Sequence, residues 1–443
     1  MYSNDRHQPI AIYDIGAAQD DGTFYQTIKM AKIPLYLQIV AALIVAVIVG
    51  VLLGAGTPIL DQDVINHLAL PSTLILKALR TLATPLIFLA VIHTFLTAEI
   101  PPNSTRKLSI LLITNTLVAI AIGLLVANVL RPGDGGKLLA ATSPTKTEIK
   151  QLDPWNLISD IIPDSVIKPL VDNNVISLIF VALAFGIVLR AIKSEQVHKG
   201  EREYLAIERV ITILFDAVIR ILHWVIALVP LAVFGIVSKT IALQGFAPFK
   251  SLGSFVIAVI VALLLQATYY LIRVRFGSWV SPQRFIKGGS DALITAFSTA
   301  SSTATMPITF DVLIKKVGLR ESSASLGALV GSNFNNDGTA LYEAMSALFI
   351  SQVLGQNLPL EQQVVVMLTS IVASVGAAGI PEAGLVTMTL VFTSVGLPTE
   401  YIAILITVDW FLDRCRTAIN VMGDMTVSAL VDGKVRKQDE FEL

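Results

Sequence analysis

Charged residues are scarce in this chain of 443 residues: Asp, Glu, Lys and Arg together make up 15%, against 54% hydrophobic residues. With a mean hydropathy of +0.72, that balance excludes an ordinary soluble protein and leaves a polytopic membrane protein as the first expectation. A basic excess is also missing. The formal net charge is -1 and the aromatic fraction is 7%, so neither a basic nucleic-acid surface nor a base-stacking platform is implied. Cys415 is the only cysteine, which excludes an internal disulfide and a cysteine-based metal site. No His–Glu zinc motif occurs, and His7, His67, His93, His198 and His223 are scattered, which argues against an intramembrane enzyme. The first 30 residues hold Asp5, Asp14, Asp20 and Asp21 and lack an apolar core, so they read as a polar tail and not as a cleaved signal peptide.

What the chain does have is long apolar runs, beginning with "LQIVAALIVAVIVGVLLGAG" at position 37, of the length that crosses a bilayer. Lys and Arg favour the cytoplasmic side, so the polar connections orient the spans. Lys29 and Lys32 place the tail inside, "TPILDQDVINHL" goes outside, and Arg106 and Lys107 mark the inside again. The spans fall near 34–55, 68–98, 108–130, 175–193, 205–242 and 251–273. There the alternation breaks. Segment 288–313 has basic loops at both ends, "RVRFGSWVSPQRFIK" and "IKKVGLRE", while segment 362–392 lies between two connections with neither Lys nor Arg. Each is expected to enter and leave on one side. With spans near 322–350 and 400–431, the fold class is an all-α membrane protein of eight spans and two opposed re-entrant helical hairpins. The hairpin tips, "SSTATMPIT" (301–309) and "VGAAGIPEAG" (375–384), both join small residues to a Pro. Paired broken segments of opposite orientation point to a transporter with inverted repeats and a binding site at mid-membrane.

The last span carries "DWFLDRCRTAINVMGDM" (409–425). At about 100° per residue with Asp409 at zero, Asp413, Arg416, Thr417, Asn420 and Asp424 all fall between about -20° and +80°, a single stripe near mid-membrane. Arg414 and Cys415 fall off it and are assigned to packing; Asp409 has the angle but no sharp role. Three carboxylates against one guanidinium exceed what a helix-pairing ion pair needs, and intramembrane charge faces a cavity or a partner. In "GSNFNNDGTALYEA" (331–344), Asn335, Asn336, Asp337 and Gly338 are poor helix formers, so the helix is expected to open there and free carbonyls for a hard cation such as sodium. Asp337 would reach a third element, with "TNT" (114–116) as the candidate. For the solute, Arg416 offers a planar fork for a carboxylate and Asp413 can take an ammonium. Thr417, Asn420 and Thr339 add neutral hydrogen bonds, and the hairpin tips add backbone amides. An amino acid with an acidic side chain meets these requirements, leaving Asp337 and Asp424 for cations.

At "SSTATMPIT", "NNDGTALYEA", "GAAGIPEAGLVTM" and "DWFLDRCRTAINVMGD" the chain resembles the glutamate transporter family, the dicarboxylate/amino acid:cation symporters, from about residue 34 onward. The resemblance implies a homotrimer in the cell (inner) membrane with cytoplasmic termini and an elevator mechanism. By that resemblance, 1–33 is a cytoplasmic tail, 34–107 a scaffold, 108–130 part of the transport domain, 131–245 an outer segment and further scaffold, 246–432 the rest of the transport domain, and 433–443 a cytoplasmic tail. Substrate would contact Ser302, Thr339, Ile380, Gly384, Asp413, Arg416, Thr417 and Asn420. Sodium would contact Gly331, Asn335, Asn420 and Asp424 at one site, Ser374, Val375 and Ala377 near another, and Asn115, Thr116, Asn335 and Asp337 at a third. Glu343 matches the acidic residue assigned to a proton. Neither an organic cofactor nor a nucleic-acid partner is implied.

Two departures bear on coupling. Asn336 stands where the family usually has a Met beside a cation site, and Leu112 where many members have a Tyr. Members for neutral amino acids have Cys at the position of Arg416, and C4-dicarboxylate members lack the Asp413 and Thr417 pattern. The reading is therefore aspartate or glutamate uptake with sodium, with a proton-coupled C4-dicarboxylate carrier as the alternative and an ion channel as the rival of another class.

Overall fold

The computed structural model describes residues 34–55, 58–97, 105–134, 162–172, 175–375 and 383–436. Among them every regular element is helical. The first half comprises α1 (Leu35–Leu52), α2 (Gln62–His67), α3 (Leu70–Thr97), α4 (Thr105–Leu130), α5 (Lys168–Asp172), α6 (Val175–Lys199), α7 (Tyr204–Ile226), α8 (Val229–Gln244) and α9 (Ala247–Gly277). Five stretches of the described residues are long and apolar enough to cross a bilayer: Leu35–Leu52, Gln62–Thr97, Arg106–Leu130, Tyr204–Gln244 and Pro248–Gly277. Their outer faces keep large apolar side chains such as Ile44, Leu125 and Ile257 exposed, the surface that hydrocarbon would cover.

The span expected over 205–242 is interrupted. It forms α7 and α8, which meet at Ala227 and Leu228, with Pro230 in the first turn of α8. A proline has no N–H to give to the preceding turn, so its place at a helix start is the favourable one. α8 packs along α1, and Gly50 permits the close approach: a methyl built on it would lie 2.7 Å from Ile241 Cβ.

The second half builds the surroundings of the polar stripe. α10 (Pro282–Thr299) and α11 (Ser302–Val312) pack together and are joined by Ala300 and Ser301. Ala300 takes a left-handed φ of 53°, and Ser301 caps α11 by accepting from the Ala304 amide. A π turn over Leu313–Val317 ends at Gly318, whose φ is +86°. α12 (Glu321–Ser325), a second π turn (Leu326–Val330) and α13 (Gly331–Phe334) follow in line. The helix then opens, as the sequence predicts. Asn335 (φ -100°, ψ 65°) and Asn336 (φ -97°, ψ 49°) leave helical geometry before α14 (Asp337–Val353), which is buried along its whole length. α15 (Leu360–Val375), α16 (Ala383–Ser394) and α17 (Ile402–Asp432) complete the chain. Residues 376–382, with the expected contacts Ala377 and Ile380, lie outside the described residues, as does the Val375 side chain.

α17 is central: it packs against α9, α10, α14 and the second π turn. The contact with that turn is very close, since a methyl built on Gly327 would lie 1.9 Å from Ser428 Oγ and 2.5 Å from the Asp424 carbonyl oxygen. Its last residues are tied from three directions. Trp279 Nε1 donates to Asp432 Oδ2 at 2.6 Å, Arg320 Nε donates to Asp432 Oδ1 at 2.9 Å, and Lys107 Nζ donates to the Val431 carbonyl at 3.2 Å. The Trp279 amide donates to the Gly433 carbonyl at 3.0 Å.

Candidate substrate and cation site

Asp409, Asp413, Arg416, Thr417, Asn420 and Asp424 are all buried on α17, and Arg416 is completely enclosed. Arg416 Nη2 donates to Asp413 Oδ1 at 2.7 Å and lies 3.0 Å from Asp409 Oδ1. Asp409 thus gains the role that its angle alone did not give it, as the second counter-ion of the guanidinium. The Arg416 guanidinium carbon also sits 4.0 Å from the centre of the Tyr342 ring, an attraction that strengthens when water is excluded. Two of its nitrogens, Nε and Nη1, are buried without a hydrogen-bond partner among the described residues. Gly384 at the start of α16 lies against the Nη1–Nη2 end of the fork, since a methyl built there would be 3.1 Å from Nη1 and 3.2 Å from Nη2. A buried donor without an acceptor is costly, so this edge of the fork suits an incoming carboxylate.

The neighbouring polar groups fix the frame. Asn420 Oδ1 accepts from the Gly338 amide at 2.7 Å, and its Nδ2 donates to Thr339 Oγ1 at 3.2 Å and to Asn336 Oδ1 at 3.3 Å. This side chain therefore holds the opened helix against α17. The Thr417 hydroxyl donates to the Asp413 carbonyl at 2.8 Å, and the Ser302 hydroxyl, at the start of α11, donates to the Ser332 carbonyl at 3.1 Å. Both oxygens keep acceptor capacity. A cavity of about 630 Å³ between α1, the end of α7, the α10–α11 junction and α17 reaches Asp413.

The expected cation ligands separate into unlike groups. Asp424 Oδ1 and Asn335 Oδ1 are buried and lack hydrogen-bond partners among the described residues. Gly331 abuts them, since a methyl built on it would lie 2.5 Å from Asp424 Oδ1, and Asn335 Nδ2 donates to the Asn420 carbonyl at 3.3 Å. Such a set of oxygens fits a hard cation such as sodium. Asp337 does reach the "TNT" segment, accepting from the Thr116 hydroxyl at 2.6 Å and from the Tyr270 hydroxyl. Asn115 Oδ1 accepts from the Arg273 guanidinium. The Ser374 carbonyl accepts from Asn336 Nδ2 at 2.9 Å. Glu343 accepts from the Thr387 hydroxyl through Oε1, and its Oε2 has no partner among the described residues.

Four participants escape a reading of the stripe alone. Tyr342 directly precedes Glu343, but its aromatic ring reads as packing on an otherwise apolar helix. Tyr270 and Arg273 read as the aromatic and basic end of a span, and only the fold turns them inward. Arg414 is a correction. The sequence assigned it to packing because it falls off the stripe, yet its Nη1 donates to the Phe297 carbonyl at 3.0 Å and to the Ser298 carbonyl, while its guanidinium carbon lies 4.8 Å from the Tyr36 ring centre. It satisfies the last carbonyls of α10, which have no intrahelical donors. Cys415 is half-buried against the apolar core, in keeping with packing.

Known proteins resemble this chain along most of its length. Residues 35–434 match the model of the sodium:dicarboxylate symporter family. The chain is 41% identical over 281 residues to excitatory amino acid transporter 4 of Mus musculus, covering 61% of this chain and 47% of that protein. It is 30% identical over 486 residues to excitatory amino acid transporter 2 of the same species, covering 94% of this chain and 83% of that protein. With excitatory amino acid transporter 3 the identity is 28% over 466 residues, covering 92% and 86%. The first of these alignments spans about half of the relative's length. Since the family match runs from the first residue of α1 to beyond the last of α17, enclosing the whole polar stripe, this chain belongs to the sodium:dicarboxylate symporter family.

Proposed function

We propose that the protein is a secondary active symporter, not an enzyme, that takes up aspartate or glutamate together with sodium. The observation that carries the reading is the Arg416 fork, buried with Nε and Nη1 unpartnered and with Asp413 2.7 Å from its Nη2. The substrate side-chain carboxylate would meet the end of the fork that carries the unpartnered Nη1, and the substrate ammonium would meet Asp413. Ser302, Thr339, Ile380, Gly384, Thr417 and Asn420 would line the remainder. Sodium would be a co-substrate, held by Asp424, Asn335, Gly331 and Asn420, while Glu343 would carry a proton.

The finer architecture belongs to the same proposal. Eight spans would include α6, the α12–α14 series and α17, with α10–α11 and α15–α16 as opposed re-entrant hairpins. Residues 34–107 and 131–245 would form the scaffold, and 108–130 with 246–432 the moving transport domain of a homotrimer in the cell membrane, with both termini cytoplasmic. The name of the aligned relatives, excitatory amino acid transporter, supports an amino acid as cargo.

The test is labelled aspartate uptake into proteoliposomes under an inward sodium gradient, an inward proton gradient, or neither. Accumulation driven by sodium is expected. Uptake indifferent to both gradients would sink symport, and accumulation of succinate without competition by aspartate would favour the proton-coupled C4-dicarboxylate carrier.

A further inference from the structure

Asp432 spends one carboxylate oxygen on Trp279 Nε1 and the other on Arg320, which leaves the arginines around the same indole without a counter-charge. The Arg284 guanidinium carbon lies 5.3 Å from the centre of the Trp279 ring, and that of Arg436 lies 5.1 Å from it. Both side chains are exposed, and neither guanidinium forms an ion pair or a hydrogen bond among the described residues. A methyl built on Gly318 would lie 2.7 Å from Arg284 Nη2 and 3.8 Å from Arg436 Nη2, so the two nitrogens border one space. Like charges brought so close repel each other, and the face of a single indole offsets only part of that repulsion. An anion with two or more oxygens would relieve it, and guanidinium groups suit phosphate oxygens in particular.

The surroundings carry the same sign. Arg275 at the end of α9, Lys287 on α10 and Lys434 just after α17 are exposed and form no ion pair among the described residues. Of the three acids between α9 and the end of α12, Asp291 and Asp311 are taken by Lys316 and Lys315, each at 2.5 Å, which leaves Glu321 alone against this surplus. Apolar side chains adjoin the charges. Ile272 and Phe276, one turn apart on α9, and Val435, beside Arg436, are all exposed. A soluble anion would need only the charges. Basic side chains, an indole and bare apolar groups together match the headgroup level of a bilayer, and the cytoplasmic leaflet supplies negative lipids.

We propose that the phosphate of an anionic phospholipid binds between Arg284 and Arg436 over Trp279, with its acyl chains along Ile272 and Phe276. The headgroup then rests on the indole whose N–H holds Asp432, so the lipid acts on the junction of α9, α10 and α17 without touching substrate. The inference rests on the orientation proposed above, which puts this end of the helices at the cytoplasmic leaflet.

The experiment is native mass spectrometry of the purified full-length protein, titrated with phosphatidylglycerol, phosphatidylcholine or inorganic phosphate. Phosphatidylglycerol should bind about tenfold more tightly than phosphatidylcholine, as two basic contacts to an anionic headgroup imply. Arg284→Gln combined with Arg436→Gln should bring that preference to within about twofold, whereas Lys at both positions keeps the charges and should keep most of it. Equal binding of the two lipids overturns the proposal, as does a preference that survives the double Gln substitution. Displacement of the lipid by millimolar inorganic phosphate would make a soluble anion the ligand and also overturns it. So does a preference that emerges only when residues 437–443 are deleted, because Asp439, Glu440 and Glu442 would then be the occupants. If the double variant fails to fold, Arg436→Gln alone decides: a fall of about threefold or more is expected, and no fall counts against the site. Binding is read without amino acid, so an intact lipid preference without aspartate uptake would remove the symport reading alone, and uptake without the preference would remove this inference alone.

Discussion

Arg416 Nη2 lies 3.0 Å from Asp409 Oδ1 and 2.7 Å from Asp413 Oδ1, so one nitrogen of the guanidinium meets carboxylates from two successive turns of α17. This pairing orients the fork. With Nη2 engaged, and with the Tyr342 ring 4.0 Å from the guanidinium carbon, Nη1 is the unpartnered nitrogen of the end that faces Gly384.

Arg416→Cys is expected to weaken aspartate binding by more than about 100-fold, since charge-assisted hydrogen bonds contribute about 1.5–3 kcal/mol each. It also strands Asp409 and Asp413, and breaking a buried pair costs about 3–5 kcal/mol of stability. Isothermal titration with aspartate and thermal unfolding without it separate the two effects. Binding within threefold of the parent would show that Arg416 is not the carboxylate anchor.

Asp424→Asn keeps the shape of the side chain and removes its charge. Sodium should then no longer stabilise the protein against heat, and aspartate uptake should lose its dependence on a sodium gradient. A sodium-dependent rise in melting temperature equal to that of the parent would exclude Asp424 as the ion's ligand.

Gly327→Ala addresses stability directly. Its added methyl would meet Ser428 Oγ at 1.9 Å and the Asp424 carbonyl oxygen at 2.5 Å, and backbone cannot yield as a flexible side chain does. Overpacking of this kind costs about 1–3 kcal/mol, so the melting temperature should fall. Gly384→Ala is the milder companion: its methyl would come 3.1 Å from Arg416 Nη1, which should weaken aspartate binding more than it lowers the melting temperature. Equal effects on both properties for Gly384→Ala would argue against its place beside the substrate.

Arg414→Leu should leave equilibrium aspartate affinity within about threefold, since the side chain lies off the stripe, but should loosen the α10–α11 junction whose carbonyls it caps. Hydrogen exchange at residues 299–303 is the measurement, with faster exchange expected because a lost cap is worth about 1 kcal/mol of local protection. Unchanged exchange there would return Arg414 to a packing role.

Periodicity made the α17 stripe legible, because about 3.6 residues per turn puts Asp409, Asp413, Arg416, Asn420 and Asp424 on one face whatever surrounds them. The opening at Asn335 and Asn336 was legible from local propensity, and the reach of Asp337 to Thr116 from the mismatch of its angle with its neighbours'. Pairings between distant segments were not. Arg273 sits at a span end where basic residues are expected on grounds of topology, and nothing local says that its guanidinium turns back to Asn115. Asn336 read as a poor helix former and a departure from a motif, with nothing to announce its bond to Ser374, which is on another helix. The division of the 205–242 span at Pro230 was available in principle, as a proline in an apolar run marks a helix start as readily as a kink.

The knot at the end of α17 sets a limit on how short the chain can be. Asp432 joins Trp279 to Arg320, and Gly433 receives the Trp279 amide, so the final turn of the last helix fastens the segment that leads into α10 to the one that leads into α12. Removing residues after Arg436 leaves these bonds intact. A stop placed before Asp432 releases both segments at once, and it would leave the Arg320 guanidinium and the Trp279 indole without their shared acceptor. The end of α17 is therefore a fastening, and fusions belong beyond it.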